Sequence, residues 1–314
     1  MESSELDYDL PHELIAQHPV PRRDDSRLLV YTRATGEVEH RVFRDLPELV
    51  PPSLAVVNDT RVVPARFPIE RPRGEVLLLE QLDGDLWEAL ARPTRKLRAG
   101  ERYGAVRFLE HLGAGRWRVR LEGDPAGENA SGVVPLPPYI TEPLEDAERY
   151  QTVYARELGS AAAPTAGLHF TPDLLACLDV ERVTLHVGLD TFRPLQAEVV
   201  EEHAIHGERY SVAPAAWARI EAAERVLAVG TTTVRVLETL ASGGALHGRT
   251  ELFITPGFAF RRVDHLVTNF HLPRSTLLAL VMAFAGIEEV RRLYALAIEE
   301  RYRFYSFGDA MLIL

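Results

Sequence analysis

Cysteine, lysine and long apolar runs are almost missing from this 314-residue chain. Its one cysteine, Cys177, excludes a disulfide within a single chain. It lies in Asp173-Leu-Leu-Ala-Cys-Leu178, an apolar helical pattern, and is expected as a buried structural thiol. Lys96 is the only lysine among 35 basic residues. It sits in the polar run Arg92-Pro-Thr-Arg-Lys-Leu-Arg98, where desolvation is not expected, so Schiff-base enzymes and pyridoxal-phosphate chemistry are poor candidates. No apolar run approaches the roughly 20 residues that span a bilayer. The polar start Met1-Glu-Ser-Ser-Glu-Leu-Asp7 does not read as a signal peptide. These absences point to a cytoplasmic protein without membrane contact. Positive charge is also in deficit: 46 acidic residues give a net charge of −11, against indiscriminate nucleic-acid binding.

What is present describes a globular protein. With 46% hydrophobic residues the chain can bury one large core or two smaller ones. Its charge is uneven. Residues 61–120 hold 13 basic and 8 acidic residues, or +5, and the remainder holds 22 and 38, or −16. Screening acts beyond about 10 Å at ordinary salt, so a local basic patch can work on an acidic whole. It is equally a solvated arginine-rich face.

Two textures follow along the chain. From Leu54 to Tyr139 short strands alternate with turns: Leu54–Val57, Glu75–Glu80, Leu86–Leu90, Val106–Leu109 and Arg116–Glu122. In the last, Trp117, Val119 and Leu121 share one face and arginines the other. Asp83-Gly84 and Gly113-Ala-Gly115 are hairpin turns, and 122–131 reads as an exposed loop. From Tyr150 onward strands alternate with helices. Strands are expected at Val180–Val187, Val226–Val229, Glu251–Ile254 and His265–Phe270. Helices are expected at Pro214–Glu224, after Gly230 to Leu240, at Ser275–Ala285 and at Ile287–Arg301. This is α/β organisation with a mostly parallel sheet. The expected architecture is a discontinuous α/β domain, residues 1–60 and 146–314, with an all-β domain inserted at 61–145. No internal repeat or low-complexity tract is present.

Four polar segments follow apolar runs, where open α/β sheets and barrels place ligands. In Ala163-Pro-Thr-Ala-Gly-Leu-His-Phe-Thr171, Gly167 allows positive φ or close approach to a ligand. Thr171 reads as an N-cap with Pro172 at the first helical position. Thr165, Gly167 and His169 would face a ligand. The second segment, Val183-Thr-Leu-His-Val-Gly-Leu-Asp-Thr-Phe-Arg-Pro194, delivers His186, Gly188, Asp190 and Arg193. The third, Val229-Gly-Thr-Thr-Thr-Val-Arg-Val-Leu-Glu238, offers Thr231, Thr232 and Arg235. It can cradle an anion on free N–H groups or be an ordinary helix start, and it lacks the dinucleotide and phosphate-loop glycine patterns. The fourth, Val267-Thr-Asn-Phe-His-Leu-Pro-Arg-Ser-Thr276, carries Asn269, His271 and Arg274. A lone histidine at a strand end is more often a satisfied structural residue than a catalyst. His203-Ala-Ile-His206 followed by Glu208 suits one helix face, but the zinc-protease order is absent and no third ligand is evident nearby. No metal is expected, and Glu208 can act as a base or orienting carboxylate.

These segments together closely resemble the S-adenosylmethionine:tRNA ribosyltransferase-isomerases of queuosine biosynthesis. Further matching stretches are Asn58-Asp-Thr-Arg-Val-Val-Pro-Ala-Arg66, Pro135-Leu-Pro-Pro-Tyr-Ile140, Glu148-Arg-Tyr-Gln-Thr-Val-Tyr-Ala-Arg-Glu157, Ile254-Thr-Pro-Gly-Phe258 and Tyr302-Arg-Phe-Tyr-Ser-Phe-Gly-Asp-Ala-Met311. The likeness runs collinearly from Tyr8 to the end. The family usually has Met and Ser where this chain has Ile205 and Gly207, and Gly in place of Asp190. The resemblance implies a barrel-like α/β domain with a small β-barrel. It implies that the ribosyl part of S-adenosylmethionine is transferred and isomerised onto 7-aminomethyl-7-deazaguanine at the tRNA wobble position. The products are epoxyqueuosine-tRNA, adenine and methionine. S-adenosylmethionine is consumed as a substrate, with no separate cofactor, by an expected monomer.

The chemistry needs a base at the 5′ carbon acidified by the sulfonium, a donor to the departing adenine and groups for the methionine ends. His169, His186, Glu208 and His271 are the catalytic candidates. Thr165, Gly167, Gly188, Arg193, Thr231, Thr232, Arg235 and Asn269 are the substrate-binding ones. Phe170 or Phe192 could face the sulfonium. Arg61, Arg66, Arg92, Arg95, Lys96 and Arg98 are the expected tRNA contacts. Two other classes remain open: an enzyme acting on a phosphorylated small metabolite, and a non-catalytic tRNA-binding protein.

Overall fold

Leu54–Asn58 is buried at every position and splits its side chains between two cores. Leu54 and Val56 join one hydrophobic cluster, Ala55 and Val57 another. The period of two in a strand forces this division. Val226 and Ala228 against Leu227 and Val229 repeat it, as do Met311 and Ile313 against Ala310 and Leu312. A sheet covered on both faces follows, which is why its strands read as unbroken apolar runs. A computed structural model gives this fold and describes every residue except 123–131, 189–194, 196, 204 and 206.

The large sheet has nine strands. Their order is His247–Thr250, Glu208–Ser211, Val180–Leu185, Leu54–Asn58, Val226–Val229, His265–Asn269, Ala310–Ile313, Arg27–Thr32 and Glu37–Val42. One face carries the helices Pro214–Ala222, Thr231–Ala241, Thr276–Ala285 and Ile287–Glu299, whose residues Ile220, Leu237, Val281 and Leu293 are buried there. The other face carries Phe43, Leu46, Phe170 and Leu174 from short helical turns. Burying one such side chain contributes about 1.5–3 kcal/mol. Thr171 caps the helix Pro172–Ala176 as expected, its Oγ1 accepting from Leu174 N at 3.2 Å.

Three expectations need correction. The sheet is mixed, not mostly parallel: four neighbour pairs are parallel and four antiparallel, because the C-terminal strand and the edge hairpins reverse direction. The strand expected at Glu251–Ile254 lies instead at His247–Thr250, where the chain pairs with Glu208–Ser211. Cys177 is exposed, because its helix ends at Ala176 and turns only Leu174 fully inward.

A second, six-stranded antiparallel sheet is inserted between the Leu54–Asn58 and Val180–Leu185 strands, and it forms a nearly closed barrel. Its order is Arg66–Ile69, Gly74–Asp83, Leu86–Arg92, Arg116–Leu121, Val106–Gly113 and Arg102–Tyr103. Trp87, Phe108, Trp117 and Val119 fill it as a separate cluster. The alternation expected for Trp117, Val119 and Leu121 is present, as are turns at Gly84 and at Gly113 to Gly115, all with positive φ. The returning chain packs Ile140 and Tyr150 against Ala16 and Phe307 beside the large sheet. The loop expected at 122–131 lies outside the described residues from 123 on.

Candidate active site

The strands Val180–Leu185, Glu208–Ser211 and His247–Thr250 lie side by side at one end of the large sheet. Their register sets Arg209 opposite Arg249. His186 follows the Leu185–Tyr210 pair, and its backbone N–H donates to Arg209 O at 2.9 Å. Leu185 and Tyr210 point into the core, so His186, Arg209 and Arg249 stand in a row on the opposite face. Facing this row is the outside of the small sheet: Leu79, Glu80, Gln81, Glu88 and Arg116. The walls bound an open cleft of about 1000 Å³. Arg249 reaches across it to an ion pair with Glu80, and Arg116 meets Glu88 at 2.5 Å.

The floor is built around Glu208. Its Oε1 accepts from Gly188 N at 2.8 Å, and its other oxygen pairs with Arg235. Arg235 also donates to Leu252 O at 3.0 Å and to Thr250 O at 3.1 Å. Only 8% of the Glu208 side chain and 12% of that of Arg235 is exposed, so this is a largely desolvated pair. Arg235 is thus committed to the protein. It positions the carboxylate and is not a free anion seat, contrary to its expected substrate role.

Inward, a smaller pocket shares Glu208, Arg235 and Thr276 with the cleft, and shares Thr232 and Leu277 with a third pocket of about 400 Å³. Thr165, Gly230, Thr231, Thr268, Asn269 and His271 line this inner end. The helix Thr231–Ala241 starts here, with Gly230 at φ +89° and no side-chain cap. Its first N–H groups are therefore available to a polar ligand. Asn58 locks these strand ends together. Its amide donates to Leu185 O at 3.0 Å and Thr232 Oγ1 at 3.3 Å, and its Oδ1 accepts from Leu185 N at 2.9 Å and Thr60 N at 3.2 Å.

His186 is held by Thr60, whose Oγ1 lies 2.9 Å from Nδ1. The Thr60 hydroxyl points to Glu157 O at 3.4 Å. With that donation it accepts from Nδ1–H, and Nε2 keeps its lone pair. Burial, with the Arg209 charge adding to it, pushes the imidazole down to about 4, so it is neutral at pH 7. Gly159 backs the ring: a Cβ there would sit 2.8 Å from Cε1 of His186. His271 is also neutral, pushed down by burial to about 3, with Nε2 2.6 Å from Thr268 Oγ1.

All four segments reach the inner pocket, the first of them through Ala163 to Ala166, but His169 itself has its side chain elsewhere. It closes a turn of 3-10 helix, Thr165–His169, and only 4% of it is exposed. Nδ1 lies 2.9 Å from Ser26 Oγ, Nε2 3.2 Å from Asn269 Nδ2, and the ring packs 4.9 Å from that of Phe43. Burial, helped by Arg303 and Arg23, pushes it down to about 3. Both nitrogens are engaged by the protein, leaving none for a substrate proton. Gly167 has no positive φ; it admits the Tyr154 hydroxyl, which a Cβ would meet at 1.9 Å, and not a ligand. Phe170 is fully buried against Phe43 and Tyr154, away from any sulfonium.

His203 follows a short 3-10 turn in extended conformation, not on a helix face. Among the described residues no three His, Cys, Asp or Glu side chains converge on a metal position. Asp190, Phe192, Arg193 and His206 lie outside the described residues. Among the described residues no helix is long and apolar enough to cross a membrane. Among the expected tRNA contacts, Arg61 pairs with Glu148 at 2.5 Å and Arg66 with Glu75 at 3.7 Å. Arg92, Arg95, Lys96 and Arg98 are exposed, with no carboxylate partner among the described residues. Thr60, Gly159 and Arg209 were not singled out by sequence reasoning. The two strands that join Thr60 to Gly159 pair in parallel across almost a hundred residues, and nothing local marks them.

The fold and cleft define an α/β protein whose barrel unit closes over polar strand ends. Comparison with known proteins is more specific. The family described as "Queuosine biosynthesis protein" matches residues 3–313. The S-adenosylmethionine:tRNA ribosyltransferase-isomerase of Rubrobacter xylanophilus is 53% identical, over 100% of this chain and 98% of its own length. The protein of the same name from Desulfitobacterium hafniense is 50% identical over the whole of both. The crystal structure of S-adenosylmethionine tRNA ribosyltransferase from Thermotoga maritima superposes with a TM-score of 0.58 at 38% identity, covering 99% of this chain and 100% of that one. The chain belongs to this queuosine biosynthesis family.

Proposed function

We propose that this chain transfers and isomerises the ribosyl group of S-adenosylmethionine onto 7-aminomethyl-7-deazaguanine at the tRNA wobble position, releasing adenine and methionine and leaving epoxyqueuosine. The observation that carries the reading, beside full-length kinship, is the cleft itself. One wall belongs to the small sheet, which also carries Arg92, Arg95, Lys96 and Arg98, exposed and without a carboxylate partner among the described residues. The other wall and floor hold a neutral histidine, a clamped carboxylate and an uncapped helix start. A base splayed out of the anticodon loop can reach such a cleft while its backbone lies on the cations.

The sulfonium acidifies the adjacent 5′ carbon. His186, neutral with a lone pair on Nε2, is the group best suited to take that proton. Glu208 then offers its negative charge to the cationic centre. His271 and the N–H groups at Thr231 and Thr232 serve the inner end, where the departing adenine or the ribose hydroxyls need hydrogen bonds. His169 plays no part in the chemistry; it holds Asn269. The same reading has S-adenosylmethionine consumed without a resident cofactor, by a monomer in the cytoplasm.

The test is direct. The protein, S-adenosylmethionine and precursor-modified tRNA are incubated together, and adenine and methionine are followed. Equimolar release that requires the tRNA is expected. Turnover of a phosphorylated metabolite without RNA, or tRNA binding without adenine release, would refute it.

A further inference from the structure

Four guanidinium groups line the cleft, and three of them are matched. Arg235 meets Glu208, Arg249 meets Glu80 and Arg116 meets Glu88. Arg209, between His186 and Arg249 in the same-face row, is the exception. It is half-buried and lines the cleft, yet among the described residues its guanidinium makes no ion pair and no hydrogen bond. A cation kept partly out of water with no partner is costly unless a ligand supplies one. The planar fork of arginine matches a two-oxygen anion.

We propose that Arg209 is the oxyanion-binding residue of the cleft, seating one negatively charged group of the bound substrate, a carboxylate or a phosphodiester, beside His186. This rests on the reading above, in which the cleft takes S-adenosylmethionine and a tRNA nucleotide. The former carries one carboxylate, the latter its flanking phosphates. Arg209 is held for this task from behind. Its carbonyl accepts from His186 N, and its strand is paired on both sides. The anion so bound lies next to the imidazole and fixes the substrate relative to it.

The experiment is equilibrium titration of S-adenosylmethionine, and separately of precursor tRNA, onto the full chain and its Arg209→Gln and Arg209→Lys variants. Circular dichroism and thermal unfolding verify that each variant is folded. Arg209→Gln is expected to weaken one of the two ligands about 10- to 100-fold, with partial recovery in Arg209→Lys, which keeps the charge but not the fork. If the loss falls on S-adenosylmethionine, its decarboxylated analogue binds parent and variant alike, and the seat is for a carboxylate. If it falls on tRNA, the salt slope drops by about one, and the seat is for a phosphate. Either result supports the proposal. Both dissociation constants staying within twofold overturns it, and so does a shifted pH profile of kcat with unchanged affinities, which would make Arg209 only a tuner of His186. Binding is read without turnover, so an inactive parent in the adenine-release assay counts against the proposed reaction and not against this seat.

Discussion

Removing the charge of Glu208 while keeping its shape, as in Glu208→Gln, strands Arg235 in a site where 12% of its side chain is exposed. Two carbonyls, Leu252 O and Thr250 O, still accept from the guanidinium, but no counter-charge remains. Breaking a buried pair from one side costs about 3–5 kcal/mol, mostly for the charge left behind. An unfolding entropy of about 2.1 cal/mol/K per residue gives roughly 1.5 °C per kcal/mol at this length. The melting temperature should therefore fall by about 5–8 °C. Arg235→Met alone should fall comparably, because the Glu208 carboxylate then loses the guanidinium that meets it in a largely desolvated site. The double variant Glu208→Gln/Arg235→Met buries no uncompensated charge, so it should lose less than the sum of the singles. The coupling should be about 2 kcal/mol, within the range for contacting residues. Thermal and urea unfolding of all four proteins, followed by circular dichroism, measures the cycle. Singles within 2 °C of the parent, or losses that simply add, would refute the clamp and return Arg235 to the role of a free anion-binding residue.

Gly159→Ala would push a methyl into the His186 ring at a backbone φ of +148°, so turnover should fall about 100-fold through misplacement, with some loss of melting temperature from the strained backbone; normal kcat would remove His186 from the chemistry. His169→Ala should lose about 2–4 kcal/mol from its two hydrogen bonds and the Phe43 contact, while the folded protein turns over within a few-fold of the parent. A collapse of kcat at unchanged stability would restore His169 as the base. His169 and His271 are both held down at about 3 by burial, against about 6.5 in the unfolded chain. The unfolded state therefore binds more protons below pH 6.5, so stability is fully present above that pH and declines toward pH 3, by about 1.4 kcal/mol per histidine already at pH 5.5; a melting temperature flat from pH 7 to 5 contradicts this. Reversing Arg95, Lys96 and Arg98 to Glu should weaken tRNA binding and flatten its salt dependence while leaving the affinity for S-adenosylmethionine intact; an unchanged salt slope would make the patch incidental.

The small sheet was legible because its strands alternate and its turns carry glycine at the required positions, Gly84, Gly113 and Gly115. The large sheet was legible as strands and helices but not as an order. Leu54–Asn58 is apolar throughout, so nothing local says which residues face which core, or that its partners are Val180–Leu185 and Val226–Val229. The last strand, Ala310–Ile313, slots in between His265–Asn269 and Arg27–Thr32, antiparallel to the first and parallel to the second, a pairing between chain ends; the other three antiparallel ladders lie at the two sheet edges. In the site, His186, Thr231 and His271 could be picked out as polar groups after apolar runs, and Glu208 as a carboxylate close behind two histidines. Their partners could not. The Glu208–Arg235 contact spans 27 residues and the Thr60–His186 contact 126. Arg209 was hidden among the many arginines; only its want of a partner marks it, and partners are set by the fold.

His169 and His186 show why a loop histidine is a poor guide until its nitrogens are accounted for. Both follow apolar stretches, both sit near a glycine, and burial keeps both neutral at pH 7. A base needs a free lone pair facing its substrate. His169 has an amide donor on one nitrogen and a hydroxyl on the other, inside a packed core. Among the described residues the His186 ring has a single hydrogen-bond partner, Thr60, and it borders an open cleft. The depressed value has the same origin in both, burial first and neighbouring arginines second, so it does not tell them apart. The number of ring nitrogens left unbonded at the cleft, not the size of the shift, separates the group that can accept a proton from the one that holds Asn269 in place.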